Sequence, residues 1–180
     1  MENQINHNFR LRQLPKYARI ACLAFVFTLS VGYFTGLAFV FQTESNTAVG
    51  IEENYNGNED RPDEMVMKFK KGQREMLTIV HTHILSISLI FFSAGILLFF
   101  SAVPKRVKSF LLIEPYISLL VTFGGIYLLW YGWIFMAYIV LVSGVLMTLT
   151  YIASVAYIVK ELFASPQSYG YFLYICVQHF

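Results

Sequence analysis

Charge is confined to a few short clusters in this chain, and the stretches between them are long enough to cross a lipid bilayer. Lys, Arg, Asp and Glu make up 13% of the 180 residues, and hydrophobic residues make up 57%. A soluble domain carries about a quarter charged residues. Apart from Glu114, the charges fall in the N-terminal tail, in residues 44–75, in residues 105–108 and around residue 160. A membrane helix needs about 20 apolar residues. In hydrocarbon each backbone N–H and C=O must find its partner within the protein, so segments of this length span as helices. The pattern predicts an all-α integral membrane protein, a four-transmembrane-helix bundle with one long extracytoplasmic loop.

The spans are predicted over residues 20–41, 76–103, 115–130 and 134–159, within a transmembrane domain covering 20–161. The first run exceeds the roughly 7–15 residues of a signal-peptide core, so it reads as a retained span. Residues 1–19 form a polar tail carrying Arg10, Arg12, Lys16 and Arg19. The connection 42–75 is acidic first and basic later, with a turn signal at Asn54-Tyr55-Asn56-Gly57-Asn58. Its simplest reading is a solvated loop, and the alternative is a small cap or docking surface. Glu114-Pro115 reads as a helix start, because proline's missing N–H costs nothing at the first position and an acid suits a helix N-terminus. Trp130, Tyr131 and Trp133 form an aromatic belt. Residues 162–180 read as a short cytoplasmic or interfacial tail, whose apolar part, Tyr171 to Val177, is too short to span.

Eight Lys/Arg collect on one side of this topology and five on the other. The positive-inside rule then places both termini in the cytoplasm of a bacterial-type inner membrane. Small residues mark the expected helix-packing positions. These are Thr28, Gly32 and Gly36 in the first span, and Ser86, Ser88 and Gly95 in the second.

Catalytic signatures are sparse. Cys22 and Cys176 suggest no disulfide framework or metal knuckle. There is no glycine-rich phosphate loop, no Ser/His/Asp arrangement and no nucleic-acid motif, and the net charge of +2 implies no nucleic acid. The chemistry that can be read centres on His81-Thr82-His83, at the mouth of the second span. On a helix, residues two apart diverge by roughly 200°. His81 aligns with Ser88 and Gly95, beside a row of Thr78, Thr82, Ser86 and Ser93. This small polar face is expected to pack against the other helices, with His83 on the opposite side.

Three readings of the pair compete. Both imidazoles can be hydrogen-bonded interface residues. His81 can be an axial ligand of haem b inside the bundle, with Met136 or a second protomer's His81 opposite, since His7 and His179 lie at the far ends. If residues 78–83 were extended, His81 and His83 would chelate copper or zinc together with Glu75 or Glu64. Proton transfer by an interfacial histidine is a fourth, lesser reading. Four spans with an interfacial histidine resemble the membrane-anchor cytochromes and small accessory subunits of respiratory complexes, with no residue carried over. The expected function is a non-catalytic accessory or structural subunit in the bilayer, beside a membrane-protein partner or a second copy. The alternative is a haem- or metal-binding electron carrier using His81.

Overall fold

The computed structural model describes residues 9–43, 45–59 and 66–164. Among them are five α-helices and no strand: α1 Lys16–Gln42, α2 Ala48–Asn56, α3 Gln73–Phe99, α4 Lys105–Trp130 and α5 Met136–Phe163. A short 3-10 turn, Leu11–Gln13, precedes α1. All but α2 are long and apolar enough to cross a membrane. At 1.5 Å per residue, a helix of 27 residues is about 40 Å long, against about 30 Å of hydrocarbon.

The core is built around α4 and α5. Half of the apolar window of α4 is buried, against 6% of that of α1. Leu119, Phe123 and Ile126 of α4 meet Val140, Met147 and Tyr151 of α5 and Phe91 of α3. Backbones come close where side chains vanish. A Cβ on Gly125 would lie 2.8 Å from Val140 Cγ2, and one on Gly95 3.2 Å from Leu112 Cδ2. Val140 is β-branched and stiff at χ1, so it has little room to retreat. Gly125→Ala is expected to cost about 1–3 kcal/mol through overpacking, measured as the unfolding midpoint in a detergent titration.

Helix boundaries differ from expectation at the α3–α4 turn. Helix α3 stops at Phe99 rather than Val103, and α4 begins at Lys105, ten residues before Pro115. Pro104 is the N-cap, and Pro115 sits inside the helix. An internal proline deprives one carbonyl, here that of Leu111, of its usual donor. Buried Leu111 and Glu114 nevertheless hold the turn before Pro115 against the bundle. At the other end of α4, Gly132 takes φ +115 and its N–H donates to Leu129 O at 2.9 Å, which turns the chain tightly into α5.

Both ends of the bundle are closed by segments expected to be solvated. At one end Leu11 is 2% exposed, and its N–H donates to Phe100 O at 3.1 Å. Arg12 lies 3.8 Å from the Glu161 carboxylate. The Arg19 guanidinium donates to Leu162 O and Ala164 O, carbonyls that a helix C-terminus leaves unpaired. These contacts put residues 9–19 and the end of α5 at the same end of the bundle.

At the opposite end the predicted loop contains α2. The Thr47 hydroxyl accepts from Gly50 N at 3.0 Å, an N-cap. Asn56 Nδ2 donates to Leu129 O at 3.0 Å, and Trp130 Nε1 donates to Lys71 O at 2.8 Å. Asn58, 5% exposed, donates to Val66 O and accepts from Lys68 N. Burial pushes the Tyr55 phenol up to about 12, so it stays neutral inside this cap. The described part of 42–75 is therefore a packed lid over the α4–α5 corner.

Candidate functional site

Both imidazoles are exposed, and it is His83, not His81, whose ring leans on a neighbouring helix. His83 packs towards α4: its ring stacks on Phe123 with centroids 4.9 Å apart, and its Nδ1 lies 2.7 Å from Ile79 O. A carbonyl can only accept, so that nitrogen carries the proton. His81 points outward, exposed, and lines an open groove of about 760 Å³ with Gln73, Arg74, Leu77 and Thr78. The face of α3 that packs inward is the large apolar one, including Met76, Phe91, Ala94 and Leu98.

Most of the hydroxyl row faces away from the bundle, with Thr78, Thr82 and Ser86 exposed and Ser93 half-buried. Thr78 donates to Arg74 O, Ser86 to Thr82 O, Ser88 to Leu85 O and Ser93 to Leu89 O. A hydroxyl bonded to its own helix needs no neighbour, so bulk and shape choose the packing face. Ser86 is exposed and Ser88 half-buried, while Gly95 is the position where α4 approaches. In α1, Thr28, Gly32 and Gly36 are exposed, and nothing lies within 4 Å of a Cβ placed on either glycine. Among the described residues, that exposed stripe meets no other helix.

The ligand sets drawn from sequence are not assembled. Met136 packs into the core at the start of α5, whereas His81 lines the outward groove. Residues 78–83 are helical, so the extended geometry required for joint chelation by His81 and His83 is absent. Glu75 pairs with Lys71 at 2.8 Å. Glu64, His7, His179, Cys176 and the Tyr171–Val177 run lie outside the described residues. Among the described residues, no group of three or more His, Cys, Asp or Glu is placed to hold a metal.

A second polar feature lies inside the bundle and was not foreseen. Glu114 is 6% exposed and accepts a hydrogen bond from Ser118, while its Oε2 has no partner among the described residues. It is therefore an internal residue of α4, not a helix start beside the basic connector. Thr122 and Ser143 share a hydrogen bond of 2.8 Å between α4 and α5. Between α1 and α5, Ser30 meets the Tyr151 hydroxyl at 3.1 Å and Tyr33 meets Thr148 at 3.2 Å. The sequence signal was available: hydroxyl residues recur at Ser118 and Thr122, one and two turns beyond Glu114.

Comparison with known proteins adds one finding. The model of the Aq_1264_TM family, described as a transmembrane helical domain, matches residues 45–169. No curated protein and no solved structure matches the chain.

Proposed function

The chain belongs to the Aq_1264_TM family, a transmembrane helical domain, and from that premise we propose that it is a non-catalytic multi-pass subunit that joins a larger membrane assembly through α1. The observation that carries this reading is the bareness of α1. Val26 is its one buried residue. Its small residues, which in membranes let two helices approach closely, face away from the rest of the chain. The family match begins after α1, so the matched domain is α2 to α5, with α1 attached along α5.

The partner is another membrane-embedded helix, from a different protein or from a second copy of this chain. The inner membrane is the proposed location, with the Arg19–Leu162 end in the cytoplasm. The excess of Lys and Arg at that end supports this orientation. A haem held by His81 within the bundle has no support in the geometry, since the imidazole is turned outward.

Gly36→Leu tests the reading. With nothing within 4 Å of the Cβ, the change is expected to leave stability within about 0.5 kcal/mol. It is expected to abolish co-purification of the partner, or self-association, from native membranes in mild detergent. Unchanged association in both Gly32→Leu and Gly36→Leu would refute α1 as the docking helix.

A further inference from the structure

The outward groove on α3 combines features that a plain lipid-facing helix lacks. Arg74, Thr78 and His81 lie along one face at spacings of four and three. Apolar Leu77 stands among them, and exposed Leu85 and Leu89 continue the face towards the middle of the helix. Among the described residues, no hydrogen bond or ion pair engages the Arg74 guanidinium or the His81 imidazole. The nearby acid, Glu75, is taken up by Lys71. Lys70 sits over the Trp130 ring at 5.3 Å, which places this end of α3 level with the aromatic belt. Val66, Met67 and Phe69, just before the helix, are exposed apolar residues among lysines.

An imidazole within an apolar span needs a partner, because unsatisfied polar groups in lipid are costly. No described residue supplies one to His81, which leaves the headgroup layer to do so. Side chains on a helix lean towards its N-terminus, which for α3 is the belt end, so both side chains reach up towards the headgroups. Arg74 and His81 are seven residues, about 10 Å, apart along the axis. The polar layer of a leaflet is about 5–7 Å thick, so the pair is far enough apart to reach across it. The upper group is a permanent cation and a forked donor, matched to phosphate. The lower group can donate to the ester carbonyls of the glycerol.

We propose that the Arg74–His81 groove of α3 is a headgroup site for an anionic diacyl phospholipid, with the guanidinium on the phosphate and the imidazole on the ester carbonyls below it. The depth of His81 and the apolar continuation along Leu85 and Leu89 favour a lipid over free phosphate.

The test is native mass spectrometry of the full chain, purified in mild detergent and offered phosphatidylglycerol, phosphatidylcholine with the same acyl chains, and the diether analogue of phosphatidylglycerol. Phosphatidylglycerol is expected to be retained in preference to both. Arg74→Gln is expected to lower its retention about fivefold, the worth of one basic residue near an anionic surface, and Arg74→Lys to lower it by less, because the charge stays and only the fork is lost. His81→Leu is expected to remove, by about threefold, the preference for diester over diether lipid. Equal retention of all three lipids by the unmodified protein would overturn the proposal without any variant. So would full displacement by millimolar inorganic phosphate, or retention unchanged in both Arg74→Gln and His81→Leu.

Discussion

Tyr151→Ala is expected to destabilise the bundle by about 3–5 kcal/mol, the cost of truncating a large buried aromatic, and to release α1 from α5. Tyr151 is fully buried, at 0% exposure. Its ring stacks on Tyr33 of α1 at 3.9 Å and meets the edges of Phe34 and Phe91 at 6.3 and 5.9 Å. Its hydroxyl shares a hydrogen bond with Ser30 of α1. Lipid tails are as apolar as leucine, so packing and hydrogen bonds between helices hold a membrane bundle together. This one side chain supplies much of what ties α1 to the rest. Tyr151→Phe keeps the stack and loses only the hydroxyl, so it is expected to cost under about 1 kcal/mol. Denaturant titration in detergent separates the two variants, and cross-linking between α1 and α5 reports whether α1 has come away. An alanine variant within about 1 kcal/mol of the original would contradict the assignment of Tyr151 as the anchor.

Gly57→Ala is expected to dismantle the lid over the α4–α5 corner. Gly57 takes φ +83 with ψ 175, a region essentially confined to glycine that costs an L-residue about 1–3 kcal/mol. A Cβ there would lie 2.8 Å from both Lys68 O and Lys70 N. Both are backbone atoms, so relief requires moving the 66–72 segment away from α2. That movement breaks the Asn58–Lys68 and Lys71–Tyr55 hydrogen bonds. Clash and backbone strain together amount to about 2–6 kcal/mol, concentrated in the lid. Hydrogen exchange should rise in α2 and residues 66–72 while the centres of α4 and α5 stay protected. Trp130, whose indole donates to Lys71 O, should change its fluorescence. Unchanged exchange in α2 would refute the lid as described.

The membrane class and the four passes were legible because bilayer physics leaves one option for long apolar runs separated by charge. Local detail was less legible, for identifiable reasons. Pro115 looked like a helix start, but buried Leu111 keeps the preceding turns helical. Helix α2 has nine residues. A helix that short is marginal alone and exists here through its docking on Leu129 and the 66–72 segment. The Asn54–Asn58 turn signal marks the end of α2, where Gly57 reverses the chain.

In α3 the small polar residues do not mark the face that packs on protein. Their hydroxyls close onto their own helix instead, which frees that face for lipid. His81 faces outward, and His83, also exposed, leans its ring on Phe123. The internal Glu114 was passed over because its position before proline suggested a helix end.

The direction of His81 separates the haem reading, which needs an inward imidazole, from the proposed lipid site, which needs an outward one. Spin labels at His81→Cys and Ile84→Cys, with Cys22 and Cys176 replaced by Ser and the protein in lipid nanodiscs, measure it by oxygen-collision relaxation. Ile84 lies one turn away and packs on the core. The expected result is a mobile, oxygen-accessible label at 81 and an immobile, shielded one at 84. A shielded label at 81 with an accessible one at 84 would contradict the outward histidine.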